Sequence, residues 1–403
     1  MPPRAAMAVV EAVEPGALEV VLYGCGRVHG TILVQFLIRC LPGRRGVYVQ
    51  AMSLQWDMML YQRPQHMATA MAGQNMLVLY QQWGRASGAI LASATVPGVF
   101  VADASLPFAK IQGAIVNVHS TMYSIDPASP AQWQARGNVV VYEYIDAIDE
   151  AISGDTTKRL QALKDSALAS ATMLVYSAEA LRKDLVGPDG STARLAKVPN
   201  GVDMAQYATK PDDMVPPVMI PVIATGKPII GYFGAISGWI WLEVVEEMAR
   251  KLPEMEFVMI GPSYAPAVIP QPSQLPPNLH YLGPVDAKQL VLYAKHWSVG
   301  IIPFRKGEIA QTTSPLKLFE YFALGLPVVV TDDMRECVQF SQVLAAGSPD
   351  SFVTQVQAAV ERSKDGKFRE TMRQLALQNS WDERAAHSLK SLTSILQREG
   401  MPP

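Results

Sequence analysis

Short apolar runs alternate with amphipathic stretches along most of the chain. Val47–Met52, Met76–Tyr80, Ile115–Val118, Val139–Tyr142 and Met173–Tyr176 are nearly continuous in apolar residues and predict strands. Such runs suit strands covered on both faces, as in a parallel sheet. Arg63–Ala72, Thr156–Ser170 and Ala178–Leu185 predict the helices between them. A second series follows, with strands at Pro228–Phe233, Glu256–Ile260, Leu279–Leu282, Val299–Ile302 and Pro327–Thr331. Its helices are expected at Trp241–Lys251, Asp286–Lys295 and Pro315–Leu324, and Ser351–Arg398 reads as helix only. Strands alternating with helices predict an α/β protein with parallel sheets.

The stretch Tyr207–Lys227 separates the two series. Pro211, Pro216, Pro217 and Pro221 fall within it and remove backbone donors, so it reads as a linker. The expected organisation is an extension over 1–45, a first Rossmann-like domain over 46–208, and a linker over 209–227. A second Rossmann-like domain over 228–378 and a final helix in 379–403 complete it. Ligands of open α/β sheets bind beyond the carboxyl ends of the strands. Two such domains therefore suggest a cleft enzyme.

Composition narrows the function classes. The chain has 403 residues, 49% of them apolar and 17% charged, enough apolar content for sizeable cores. The net charge of −2 gives no general basic excess for nucleic acid. Cys25, Cys40 and Cys337 have no metal-ligand spacing, and so sparse a set fits a reducing compartment. Glu11 and Glu14 interrupt the apolar start, and Gly, Ser and Pro break stretches such as Ala86–Ala102. Neither a signal peptide nor a membrane span is expected, and the cytoplasm is the expected location. Thr31–Cys40 is strongly apolar and reads as a core or docking helix, with Arg39, Arg44 and Arg45 leaving lipid-surface contact open. Gly24-Cys25-Gly26 and Gly30 imitate a dinucleotide fingerprint, but the spacing is off by one. No acidic residue follows before Asp57 to hold a ribose.

Candidate chemistry concentrates near Ser314. Ser314 suits an N-cap and Pro315 the first helical position, which would leave the amides of Leu316 and Lys317 free at a helix start. A helix start after a strand is an anion site. Lys317 adds a positive charge, and Glu320 one turn on could accept the hydroxyls of a ribose. The same spacing also fits a solvated helix pair. Gly231-Tyr232-Phe233-Gly234-Ala235 follows a strand, and its glycines permit close backbone approach to a ligand, or simply an ordinary turn.

In the first half, Arg63 could clamp an anion and His66 could bond a hydroxyl, or the two could be structural. His119 ends a strand and is either a cleft residue or a satisfied structural one. Glu143 and Asp146 offer carboxylates, one of which could cap a helix. Asn200-Gly201 marks a turn, with Asp203 after it. The chain has no Asp-x-Asp pair and no phosphate-loop signature, so no metal site is expected.

Arg63-Pro64-Gln65-His66-Met67-Ala68, Val198-Pro199-Asn200-Gly201-Val202-Asp203, Gly231–Ala235, Ser314–Glu320 and Gly325-Leu326-Pro327-Val328-Val329 occur in that order. Together they resemble the GT-B glycosyltransferases of retaining family 4, in the bacterial cell-surface polysaccharide branch, over roughly Val47 to Arg398. The resemblance implies a retaining, metal-independent transfer from a nucleoside diphosphate sugar, UDP- or GDP-linked, with no cofactor. It places the acceptor in the first domain, the donor nucleotide in the second, and the last helix back on the first domain. It implies that Glu320 holds the ribose and that the amides of Leu316 and Lys317 bind the diphosphate. It also implies that Gly234 and Ser314 line that site and that His119 lies near the transferred sugar.

Two features depart from the family pattern. Thr312 stands where the family has its first glutamate, with Glu308 in the same loop as the available carboxylate. The basic residues many members carry after the glycine turn are replaced by Gly238-Trp239-Ile240-Trp241-Leu242, which leaves Lys317, Arg305 or Arg63 to face the diphosphate. The expected catalytic set is His119, Lys317 and Glu308. Arg63, His66 and Asp146 are the expected acceptor or cleft residues. The expected partners are a nucleotide sugar and a glycan or lipid-linked acceptor, with peripheral attachment to the inner membrane face compatible with the sequence. A non-catalytic GT-B subunit and a nucleotide-sugar epimerase are the rival readings.

Overall fold

The computed structural model describes residues 40–41, 43–58, 61–83, 90–104, 111–187, 190–208, 214–264 and 272–400. The glycine set at 24–30, Pro211, and the apolar stretch from Thr31 up to Cys40 lie outside the described residues. The chain forms two compact units. The first holds the described residues up to Tyr176, with Asp184–Ala196 and the residues from Ala385 on. The second holds Ser177–Lys183 and Lys197–Arg384.

The first unit is built on an eight-stranded sheet of order β3-β4-β2-β1-β5-β6-β7-β8. Its strands are β1 (Val47–Ser53), β2 (Leu77–Gln82), β3 (Ile90–Ala92), β4 (Val99–Asp103), β5 (Ile115–His119), β6 (Val139–Tyr144), β7 (Met173–Tyr176) and β8 (Leu195–Lys197). Strand β3 runs antiparallel to β4, while β1, β2, β4, β5, β6 and β7 pair in parallel. Every residue of β2 is buried, as the continuous apolar run predicts for a strand covered on both faces. The helices that connect the strands include α1 (Arg63–Gly73), α2 (Ser129–Ala135) and α3 (Thr157–Ser170). The order of strands reverses between β1 and β5, so the ligand crevice of this sheet is expected at their carboxyl ends.

The second unit has a six-stranded parallel sheet of order β11-β10-β9-β12-β13-β14. The strands are β9 (Ile229–Phe233), β10 (Glu256–Ile260), β11 (Leu279–Tyr281), β12 (Val299–Ile302), β13 (Val328–Thr331) and β14 (Leu344–Ala346). Its helices include α4 (Leu242–Lys251), α5 (Glu308–Thr312), α6 (Leu316–Ala323), α7 (Pro349–Ser363) and α8 (Gly366–Gln378). The last helix, α9 (Trp381–Arg398), divides between the units after Arg384. The reversal here falls between β9 and β12. At that point Gly231 and Gly300 are register partners. A Cβ on Gly231 would meet the Trp297 ring at 2.0 Å, and one on Gly300 would meet the Tyr321 ring at 2.5 Å. The missing side chains let both rings lie directly on the sheet, and Tyr321 belongs to α6.

Several expectations are corrected. The Pro-rich stretch is not a bare linker. Its described part carries a 3-10 turn, Pro217–Met219, and a short helix, Ile220–Ala224, inside the second unit. Proline at a first helical turn loses nothing, and Met219 and Val222 are buried. The second unit takes the chain from Lys197, ahead of the expected boundary at 208/209. The loop expected to carry Glu308 and Thr312 is instead helical there, as α5. Asp333 accepts from the Gly307 amide at 2.7 Å and from Gln311 at 3.0 Å, a long-range anchor for that short helix. Ala178–Leu185 is a 3-10 segment, Glu179–Leu185, and Asp286–Lys295 splits into a 3-10 turn and one short helix.

Candidate functional site

In the first unit α1 starts at the crevice. Gln62 and Gln65 cap it reciprocally, with the Gln62 amide donating to Gln65 at 3.2 Å, and Pro64 sits in its first turn. This start carries Arg63 to the end of β6. The Arg63 guanidinium donates to both oxygens of Glu143, at 3.0 and 3.1 Å. Nε2 of His119, at the end of β5, lies 2.8 Å from Oε2 of the same carboxylate. All three side chains are sealed from solvent, at 3% exposure for Arg63, 2% for Glu143 and 0% for His119. Burial pushes the Glu143 carboxyl up, but Arg63 and His119 together hold it well below the ordinary carboxylate range. Behind the cluster, Gln50 on β1 accepts from Asn117 at 3.0 Å and from Tyr48 at 3.3 Å.

This arrangement revises the reading of the first half. Arg63 is committed to Glu143 rather than open to an anion, because two parallel bonds in a dry site hold it there. His119 is enclosed beside the same carboxylate. His66 is buried, with its ring edge-on to Tyr61 at 4.8 Å. Burial drives its pKa down to about 3, so the ring is neutral at pH 7. Of the four residues expected here, Asp146, just past β6, is the one that keeps solvent access, and its enclosed setting raises its carboxyl pKa against the pull of Arg63 and His119. Glu143 organises the cluster. Its signal in the sequence is a lone carboxylate inside the apolar run Val139–Tyr144.

In the second unit the sheet reversal brings Gly234 and Lys317 together. Gly234 follows β9 with φ of +133°, and its amide donates to the Ile260 carbonyl at 2.9 Å. A Cβ there would stand 2.9 Å from Lys317 Cε, so glycine is what lets the lysine stem cross the turn. The Lys317 ammonium lies 5.3 Å from the Tyr232 ring centre and 5.4 Å from that of Phe304. Among the described residues it makes no hydrogen bond or ion pair. Burial lowers its pKa and Glu320 opposes that shift.

The helix start differs in detail from expectation. Pro315 occupies the N-cap position, and Ser314 does not cap. The Ser314 hydroxyl instead accepts from the Asn200 amide at 3.2 Å, and its carbonyl accepts from Asn200 Nδ2 at 2.6 Å. Proline's fixed φ and the bonded Ser314 peptide therefore set the chain direction. The amides of Leu316 and Lys317 precede Leu318, whose N–H donates to Pro315 at 3.3 Å. One turn on, Glu320 accepts from the Tyr207 hydroxyl at 2.7 Å. Burial raises the Glu320 pKa, against the pull of Tyr207 and Lys317.

Glu308 is exposed at the first position of α5. Thr312 turns inward, and its hydroxyl donates to the Glu308 carbonyl at 2.7 Å. Tyr207 and Asn200 are partners with no local signal in the sequence for these roles, since both meet α6 from far along the chain. Among the described residues no group of three or more His, Cys, Asp or Glu is placed to hold a metal ion, and no helix is long and apolar enough to cross a membrane. A lone cation over a glycine turn, free amides at a helix start and a carboxylate one turn away form a cradle for an anionic ligand that carries hydroxyls.

Comparison with known proteins agrees with the fold. Residues 227–362 match the family described as Glycosyl transferases group 1. A Bacillus subtilis (strain 168) protein named for glycosyl transfer in teichuronic acid biosynthesis, TuaH, is 26% identical over 160 residues. That match spans 38% of this chain and only 40% of the relative. The E. coli trehalose-6-phosphate structure bound with UDP-2-fluoro glucose aligns with a TM-score of 0.62 and 13% identity, over 86% of this chain and 98% of that one. Anabaena HepE with UDP and glucose gives 0.62 at 12% identity, over 87% and 99%. Sucrose-phosphate synthase from Thermosynechococcus elongatus gives 0.62 at 14%, over 88% and 100%. The fold is GT-B, with two parallel-sheet α/β units.

Proposed function

We propose that the protein is a retaining glycosyltransferase that moves a sugar from a nucleoside diphosphate sugar onto a glycan or lipid-linked acceptor in cell-surface polysaccharide synthesis. The observation that carries this reading is the Lys317 ammonium lying across Gly234 beside the start of α6, with Glu320 one turn on. The family match over 227–362 supports glycosyl transfer. UDP is the favoured nucleotide because structural neighbours hold UDP or UDP-glucose. TuaH supports a surface polysaccharide as product.

The chemistry is electrostatic. The bond between the anomeric carbon and the diphosphate breaks, and charge grows on the departing oxygen. Lys317 and the amides of Leu316 and Lys317 stabilise it without needing a metal. The acceptor hydroxyl attacks from the leaving-group side, and its proton passes to the diphosphate. Glu320 orients the ribose through its carboxylate. On the acceptor side, Asp146 offers a carboxylate with solvent access, and Glu143 holds Arg63 and His119 in place. Glu308 is the exposed carboxylate at the start of α5, the short helix before α6.

Calorimetric titration with UDP and with uridine tests the assignment. Losing hydrogen bonds to a charged group costs about 1.5–3 kcal/mol, so Glu320→Ala is expected to weaken both ligands roughly 10–150-fold. Lys317→Ala is expected to weaken UDP and leave uridine almost unchanged. Unaltered nucleotide binding by folded Glu320→Ala overturns the ribose role, and equal losses of both ligands in Lys317→Ala overturn the phosphate role. A second reading, a non-catalytic GT-B subunit, is favoured by one observation. The Thr312 hydroxyl is bonded within its own helix, so that position presents no carboxylate. Transfer or hydrolysis of a UDP-sugar by the purified protein excludes that reading.

A further inference from the structure

The turn at Asn200-Gly201 is not explained by the proposed reaction, yet it is held from two sides. On one side it is anchored to the residues around 380. The Val202 amide donates to the Asn379 carbonyl at 3.1 Å, and the Trp381 amide donates to the Val202 carbonyl at 3.1 Å. A Cβ on Gly201 would lie 2.8 Å from the Asn379 carbonyl oxygen, so only glycine permits this approach. Arg384 donates from Nε to the Asn200 carbonyl at 3.0 Å, also bonds Asn379, and lies 5.5 Å over the Phe319 ring of α6.

On its other side the same segment reaches α6 twice. Asn200 makes its two bonds to Ser314, at 3.2 and 2.6 Å. Tyr207, 4% exposed, donates to Glu320 at 2.7 Å. The first pair fixes the peptide that leads into Pro315, and through it the direction of the free amides at the helix start. The second fixes the rotamer of Glu320 by engaging Oε1. Resting on the glycosyltransferase reading above, we propose that residues 200–207 are a brace that positions α6 for the donor nucleotide. Asn200 governs the diphosphate end and Tyr207 the ribose end. Both are positioning residues that act through Ser314 and Glu320.

The two ends predict different signatures. Tyr207→Phe removes one hydroxyl, and it is expected to weaken uridine and UDP by the same factor, about 3–10-fold, the size of one hydrogen bond to a charged group lost in part. Asn200→Ala is expected to weaken UDP by a similar factor, roughly 3–10-fold, with little change for uridine. Melting temperatures are recorded alongside, and Tyr207→Phe keeps the proposal testable should Asn200→Ala fail to fold. Wild-type protein that binds neither UDP nor uridine overturns the function reading and the brace with it. Wild-type binding together with variants that bind like wild type overturns the brace alone. Equal losses of both probes in both variants, tracking the melting temperature, show a merely structural segment and overturn the positioning role.

Discussion

Arg63→Met is the most exposing perturbation of the first unit. Methionine keeps much of the stem's volume and removes the charge that faces Glu143. The carboxylate is then left in a dry site with only His119, since exposure of the three side chains is 3% or less. Breaking a buried ion pair from one side typically costs about 3–5 kcal/mol. For a unit of this size, about 2–4 °C per kcal/mol gives a drop in melting temperature of roughly 6–20 °C. The pH dependence carries a sign. In wild type the Glu143 pKa is depressed in the folded state, so its contribution is present above the unfolded value of about 4.3 and fades as pH falls through the folded value. In the variant the depressing cation is gone, burial raises the carboxyl, and protonation relieves it. The deficit is therefore largest at pH 7 and shrinks towards pH 4. Scanning calorimetry at both pH values measures it, and Arg63→Met with Glu143→Leu is expected to recover at least half the loss. A deficit under about 1 kcal/mol at pH 7, or one that grows on acidification, refutes the reasoning.

Two further outcomes are expected. Gly234→Ala combines a φ of +133° with a Cβ 2.9 Å from Lys317 Cε. It is expected to displace the lysine, lowering UDP affinity about tenfold and stability by roughly 1–3 kcal/mol, as titration and melting would show. Unchanged UDP binding in this variant would separate Lys317 from the ligand. His66 has its folded pKa lowered to about 3 by burial, so between pH 3 and 6.5 the unfolded chain binds more protons and stability rises with pH. His66→Phe is expected to remove that slope, at most about 1.4 kcal/mol per pH unit, in denaturant titrations across the window. The same slope in both proteins would mean that the ring is not held neutral.

The parallel architecture was legible because long apolar runs mark strands covered on both faces. Met173–Tyr176, Glu256–Ile260 and Val299–Ile302 begin and end where the pattern places them. The short strands β3 and β14 were not legible, since three residues are too few to show a period. Strand β4 was hidden in the Gly-, Ser- and Pro-broken stretch that ends at Ala102. Helix α5 was missed because Asp333, far along the chain, anchors it. The candidate site was legible residue by residue, not in its pairings. Lys317 and Glu320 are marked by their spacing, whereas the meeting of Lys317 with Gly234 depends on a sheet reversal. Arg63 looked like an anion clamp because its partner Glu143 sits 80 residues away. Ser314 looked like a cap because local rules are blind to Asn200.

The paired glycines of the second sheet have a consequence for inheritance. Gly231 and Gly300 are register partners, and the Tyr321 ring rests where a Gly300 side chain would be. Helix α6 sits as deep as it does because nothing projects from that strand. One added methyl at Gly300 would lift the helix outward, and Lys317 and Glu320 would rise with it. A descendant of this chain can therefore lose its nucleotide cradle through a change in a strand that the nucleotide never meets. A survey of tolerated substitutions would find that strand as intolerant as the cradle itself.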